Sequence, residues 1–203
     1  MRFQNIRNRN FTSTIHQFAL CFYPQYLKNI KHSKWNNHKW KNLTLMKDPM
    51  SLTIYMMMIQ ELKPKTILEF GTFDGGSALW MNDIMVSLGL ECVIHTFDIN
   101  ANRVNLPKGN NIKFHQLDNY KINDFVAENN NLFKDLTSPI IMIEDSHENS
   151  PNLIKAMDPF LRSGDYLVIE DTIDRKKYEL TISSEDCMQN MNYEVDTYYC
   201  DFW

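Results

Sequence analysis

The stretch Thr66-Ile67-Leu68-Glu69-Phe70-Gly71-Thr72-Phe73-Asp74-Gly75-Gly76-Ser77 decides the fold. Thr66 to Phe70 reads as a buried β-strand. A glycine-rich turn follows, then a helix from about Ser77 to Leu88, with Ser77 placed to cap it. Strand, turn and helix in that order open a βαβ unit, and the pattern repeats outward in both directions. Upstream, Met50 to Leu62 predicts an amphipathic helix ended by Lys63-Pro64. Downstream, strands are expected at Val93 to Ile99, Ile112 to Leu117, Pro139 to Ile143 and Tyr166 to Ile169. A polar helical stretch lies near Ile122 to Phe133, and a helix runs from Pro151 to about Leu161, stopped by Ser163-Gly164. Val195 to Phe202 reads as a further strand. The strands are almost continuously apolar, which implies cover on both faces, so the expected class is α/β, a doubly wound Rossmann-like sheet flanked by helices.

In such a sheet ligands bind outside the carboxyl ends of the strands, near the point where the strand order reverses. After the first strand, Gly71 and Gly75 allow backbone angles closed to other residues and let a ligand approach the main chain. The spacing E-x-G-x-x-x-G departs from the G-x-G-x-x-G of dinucleotide binders. An acidic residue, Glu69, ahead of the first glycine suits a ligand with an ammonium group and no phosphate, such as S-adenosylmethionine; Thr72 and Ser77 complete that turn. Asp98, 27 residues beyond Gly71, ends the next strand, where a carboxylate accepts hydrogen bonds from ribose hydroxyls. Asp118 and Asn119 end the third and are candidates for contact with the adenine.

The fourth strand ends in Glu144-Asp145-Ser146-His147 and the fifth in Glu170-Asp171. Neighbouring strands lie about 5 Å apart, so these carboxylates meet at one edge of the crevice if the two strands are adjacent. Like charges at that range require a cation or a proton between them. Oxygen ligands of this kind suit Mg2+ or another hard divalent cation. Side chains alternate along a strand, so one of Glu144 and Asp145 should point away; the sequence leaves open which. His147 is a candidate general base, since its ordinary pKa lies near neutrality.

Composition narrows the class further. A chain of 203 residues, 43% hydrophobic, supports one core. Four cysteines without a CxxC pair give neither a zinc site nor a disulfide framework, and a reducing, cytoplasmic setting is expected, an organelle transit peptide remaining compatible with the leader. No apolar run is long enough to span a bilayer. Residues 1–47 hold nine Lys or Arg and no Asp or Glu, whereas the remainder holds 12 basic and 25 acidic residues. The expected layout is therefore a basic arm over 1–40, poorly ordered, and a catalytic domain over 41–203. The methionines Met56 to Met58 fall on the first helix and read as core fillers.

Lys47-Asp48-Pro49, Lys63-Pro64, Ile67-Leu68-Glu69-Phe70-Gly71-Thr72 and Gly75-Gly76-Ser77-Ala78-Leu79 recur in order with Ile143 to His147, Gly164-Asp165-Tyr166 and Glu170-Asp171-Thr172. Together they resemble the cephalosporin hydroxylase family of metal-dependent O-methyltransferases, over roughly residues 40 to 202. The resemblance implies a class I methyltransferase fold, S-adenosylmethionine at Glu69, Gly71, Gly75 and Asp98, and Mg2+ on the strand-end carboxylates. Glu170 and Asp171 match that pattern directly. Counting from His147 favours Glu144 as the third ligand, and aligning the acidic pair favours Asp145. A histidine resembling His147 acts as base in related macrolide-sugar enzymes. The family pattern continues through a short segment beyond the position of Trp203, so the domain is expected to lack its C-terminal end.

The leading expectation is methylation of a small-molecule hydroxyl, with no membrane or nucleic-acid partner and a homo-oligomer compatible. Two rivals are an RNA methyltransferase that uses the basic arm and a non-catalytic cofactor-binding protein.

Overall fold

The computed structural model describes residues 1–6, 38–170, 187–188 and 191–200. Most of the basic arm, and Asp171, lie outside these residues. The chain divides into two compact units, one of residues 38–171 and the other of 1–37 with 172–203. In chain order the described strands are β1 (Phe3–Asn5), β2 (Lys39–Trp40), β3 (Leu43–Thr44), β4 (Thr66–Phe70), β5 (Val93–Asp98), β6 (Ile112–Gln116), β7 (Ile140–Glu144), β8 (Tyr166–Ile169) and β9 (Glu194–Asp196). The helices are α1 (Pro49–Leu62), α2 (Gly76–Ser87), α3 (Ile122–Glu128), α4 (Asn130–Lys134), α5 (Ser150–Met157) and α6 (Thr197–Cys200).

The larger unit is built on a five-stranded sheet in the order β6-β5-β4-β7-β8. Every pairing in it is parallel. From β4 the chain winds outward through β5 to β6, then returns to place β7 and β8 on the other side. The order therefore reverses between β4 and β7, which puts a crevice beyond their carboxyl ends. β4 and β7 are buried at every residue, as continuously apolar strands covered on both faces should be. Leu68, Phe70, Phe97, Met142 and Ile140 pack with Leu117, Ile122, Phe133, Leu153 and Met157 into one core. The alternate residues face the other layer, and among these Glu69 reaches Ser77 on α2.

Local chemistry explains the element ends. Asp48 caps α1, its carboxylate accepting from the Met50 and Ser51 amides at 2.8 and 3.1 Å, and Pro49 occupies the first turn. Lys63 closes the helix in the left-handed region at φ 47°, ahead of Pro64. Three expectations need correction. The chain enters α2 at Gly76 with Gly75 as its cap, so Ser77 lies inside the helix and its hydroxyl donates to Glu69 instead of capping. The predicted helix near Ile122 to Phe133 is two, because Asn129 donates its side-chain amide to the Phe125 carbonyl at 2.9 Å and ends α3. The helix after β7 gives way at Met157 to a 3-10 turn over Asp158–Phe160, where Pro159 offers no amide hydrogen.

In the smaller unit β1 and β9 pair antiparallel, and Arg2 grips the Asp196 carboxylate through two nitrogens at 2.8 to 3.0 Å. The strand expected over Val195 to Phe202 is short, since Asp196 also accepts from the Tyr198 amide at 3.0 Å and turns the chain into α6; residues 201–203 lie outside the description. Among the described residues no helix is long and apolar enough to cross a membrane.

Candidate active site at the strand ends

The exits of β4, β7 and β8 lie side by side, with Phe70 opposite Glu144 and Glu144 opposite Ile169. The ladder runs one step further, the Asp145 amide donating to the Phe70 carbonyl at 2.8 Å and the Glu170 amide to the Glu144 carbonyl at 3.0 Å. Gly71 is required by this crowding. Its φ is +115°, and a Cβ there would lie 2.7 Å from the Asp145 carbonyl oxygen. The close approach at Gly71 is thus between two strand exits of the protein itself. At Gly75, with φ +101°, a Cβ would meet the Leu106 side chain at 2.7 Å.

Asp145 and Glu170 converge on one atom. The Lys47 ammonium lies 2.5 Å from Asp145 Oδ2 and 2.7 Å from Glu170 Oε1. Lys47 is 3% exposed and precedes α1, whose Tyr55 donates its phenol hydroxyl to the same Glu170 oxygen. Burial works against the lysine charge, but Glu170, Asp145 and Glu69 outweigh it and hold the ammonium protonated well above the usual lysine range. Burial pushes the Glu170 carboxyl up, with Lys47 opposing it. Tyr55 is likewise held above the ordinary phenol value, by burial first and then by the negative charge of Glu170.

Glu144 turns the other way. It is 1% exposed, and its Oε1 accepts from Ser146 Oγ at 2.7 Å and from the His147 amide at 2.9 Å. Its work is to shape the loop after β7. That loop is braced by Asn119, whose amide donates to Ser146 Oγ at 2.7 Å and to the Glu148 carbonyl at 3.1 Å. His147 sits at φ 57° and brings Nε2 to 3.3 Å from Asp145 Oδ1. One carboxylate, Asp145, therefore stands between the lysine and the histidine.

On the β5 side, Glu69 is fully buried and accepts from Ser77 Oγ and, at 2.7 Å, from Thr96 Oγ1, which is itself 2.6 Å from Thr72 Oγ1. Burial pushes the Glu69 carboxyl up to about 7, with Lys47 and the two hydroxyls opposing. Asp98 organises the glycine turn. One oxygen accepts from the Phe73 amide at 2.8 Å and the other from the Asn100 amide at 2.9 Å. A carboxylate has about four acceptor positions, so this leaves capacity for a ribose diol. Asp118 accepts from the Tyr120 amide at 3.0 Å and starts a short 3-10 turn.

Of the acidic residues singled out in the sequence, Asp145 and Glu170 meet, Glu144 turns away and Asp171 lies outside the described residues, while Lys47 and Tyr55 were not foreseen beside them. A signal for Lys47 existed: clustered carboxylates require a counter-charge, and a lysine ahead of the Asp48-Pro49 cap enters the fold beside the strand ends.

A parallel sheet in this order, with an acidic residue before the first glycine and carboxylates at successive strand exits, defines a Rossmann-like class I methyltransferase fold. The chain belongs to the Rhamnosyl O-methyltransferase/CmcI family, whose model matches residues 32–192. A Rhamnosyl O-methyltransferase of Mycobacterium leprae is 27% identical over 142 residues, covering 68% of this chain and 62% of that protein. The chain thus spans less than two thirds of the length of the curated relatives it matches. Among solved structures, CmcI with SAH is similar at 33% identity and TM-score 0.58, covering 66% of each chain. CmcI with Mg and SAM is similar at 33% identity and TM-score 0.59, covering 72% of this chain and 63% of that one.

Proposed function

We propose that this protein is an S-adenosylmethionine-dependent O-methyltransferase that acts on a hydroxyl of a sugar within a small molecule, with a divalent cation at the strand ends. The observation that carries the reading is the convergence of Asp145 and Glu170 on a single cationic atom beside the glycine turn. Relatives named for methylation of rhamnosyl groups support the acceptor class.

The residues suit both ligands. Asp98 has acceptor capacity for the ribose, Glu69 supplies negative charge beneath the turn for the ammonium of the methionine part, and Thr72, Gly71, Gly75 and Ser77 shape that wall. Asp118 lies at the β6 exit for the adenine, while Asn119 acts from behind through the loop it braces. Asp145 and Glu170 are hard oxygen donors that already meet around a positive charge, so they fit a divalent cation, with Asp171 as the further expected ligand; Glu144 supports His147 instead. When bound, such an ion orients and acidifies the acceptor hydroxyl.

His147 takes the hydroxyl proton, and Asp145, 3.3 Å from Nε2, stabilises the imidazolium that results. As the acceptor oxygen forms its bond to the methyl carbon, the carbon–sulfur bond breaks with its electron pair left on sulfur. The products are a methyl ether and S-adenosylhomocysteine. Most of the acceleration is assigned to positioning and to fixed charge. The test is methyl transfer to a panel of rhamnosylated phenols with and without chelator. Turnover that chelator stops and Mg2+ restores supports the reading, and equal turnover in excess chelator removes the cation from it.

A further inference from the structure

Resting on the metal reading above, we propose that Lys47 is a tethered cation that occupies the divalent-ion position in the metal-free protein, so that metal and ammonium compete for Asp145 and Glu170. Three observations carry this. The Lys47 ammonium lies 2.5 Å from Asp145 Oδ2 and 2.7 Å from Glu170 Oε1, the two oxygens that would ligate the ion. The group is 3% exposed, so it reached this point by exchanging water for those carboxylates. Tyr55, one helix turn-pair further along the same segment, donates to the shared Glu170 oxygen and fixes that carboxylate toward the lysine.

A hard divalent ion takes carboxylate oxygens at about 2.0 to 2.6 Å, and an ammonium at hydrogen-bond distance from both fills the same space. The two cannot hold the pair at once. The lysine keeps the carboxylates together and compensated before the ion arrives, which prevents their mutual repulsion from splaying β7 and β8 apart. It also lowers the apparent metal affinity, which is the intrinsic affinity multiplied by the fraction of molecules in which the lysine has left. The ion is then admitted only when the lysine leaves, and the expelled ammonium becomes a positive group at the rim of the same crevice.

The test is Mn2+ binding, without cofactor or acceptor, to the full chain as wild type, Lys47→Met and Asp145→Asn, followed by calorimetry. Lys47→Met should bind Mn2+ about tenfold or more tightly than wild type, and Asp145→Asn should lose most binding. Equal or weaker binding by a folded Lys47→Met overturns the competition and leaves the metal reading standing. Absence of Mn2+ binding in both wild type and Lys47→Met, each still binding S-adenosylmethionine, removes the metal reading and this inference with it. Should Lys47→Met fail to fold, the wild type answers alone: the buried lysine ammonium signal in a 15N-edited spectrum, assigned with Lys47→Arg, should shift or vanish as Mg2+ saturates. A signal unchanged at saturation overturns the proposal.

Discussion

Glu69 has no exposure at all, and its carboxyl is pushed up to about 7, by burial first, with Lys47, Ser77 and Thr96 pulling against it. A folded-state pKa above the unfolded value means the native state binds the proton more tightly. The stability this group contributes is therefore fully present below about pH 4.5 and is lost as pH rises through about 7. The interval corresponds to about 3 kcal/mol at most. Glu69→Gln has no such titration, so urea unfolding should show the variant gaining on wild type by about 2 to 3 kcal/mol between pH 5 and pH 8. A difference independent of pH would place Glu69 in a wetter setting than the structure does. At this scale the sequence was only partly legible. Glu69, Asp98, Asp145 and Glu170 are recognisable because acidic residues within or directly after largely apolar strands are costly to bury and so stand out. Ser77 was misread, since whether a serine precedes a helix or lies inside its first turn depends on which glycine bends the chain. The choice between Glu144 and Asp145 was open because alternation tells that one turns away and not which. In the structure Glu144, the last residue of β7, is the one that turns away, toward Ser146.

Between elements, glycine spacing records how closely neighbours approach. Gly71 carries φ +115° and faces the Asp145 carbonyl, so Gly71→Ala combines backbone strain with overlap against backbone. A loss of about 2 to 4 kcal/mol is expected, read as a lowered urea midpoint. Gly76, at the start of α2, would set a Cβ 2.0 Å from the Thr44 carbonyl of β3. Alanine is otherwise favoured over glycine in a helix by about 1 kcal/mol, so a destabilised Gly76→Ala would show that contact with the β2–β3 hairpin outweighs helix propensity. A stabilised Gly76→Ala would contradict the packing. β5 and β6 carry the opposite pH dependence to Glu69. His95 and His115 are bonded at 2.9 Å with rings stacked at 5.2 Å. Burial, then the positive charge of His115 and Lys113, lowers His95 to about 4. Here the unfolded state binds the proton first, so stability is fully present above about pH 6.5 and is lost as pH falls toward 4. His95→Phe should flatten the acid side of the pH-stability curve, whereas Glu69→Gln flattens the neutral side; the wild type alone shows their partial cancellation. An acid limb that keeps its slope in His95→Phe would show that other groups carry it. The five strands of the parallel sheet were legible to within a residue at either end, most plainly β4 and β7, where burial on both faces leaves an apolar run, whereas β1, β2 and β3 carry no such run and were not foreseen. The helices were less so, as Asn129 and Pro159 end them through hydrogen bonding that hydrophobic spacing does not register.

At the scale of the whole molecule, the five-stranded sheet rests on one repeated device, a strand with a polar residue at or just past its end, and the parallel order gathers those ends on a single edge. That much follows from the pattern of the chain. What lay outside it was the charge balance of the edge, because Lys47 is 98 residues from Asp145 and 123 from Glu170 in sequence and reaches them only through the path into α1. In the proposed function the cofactor wall on β4 and β5 and the cation pair after β7 and β8 are separable parts of one site. Glu170→Gln tests it most directly, with S-adenosylmethionine binding measured by calorimetry and methyl transfer to a rhamnosylated acceptor measured on the same preparation. The account predicts cofactor affinity within about threefold of wild type together with a loss of turnover of about a hundredfold or more, the pattern of a group that acts on the acceptor and not on the cofactor. Turnover retained at the wild-type rate, or cofactor binding lost in parallel with activity, would contradict it.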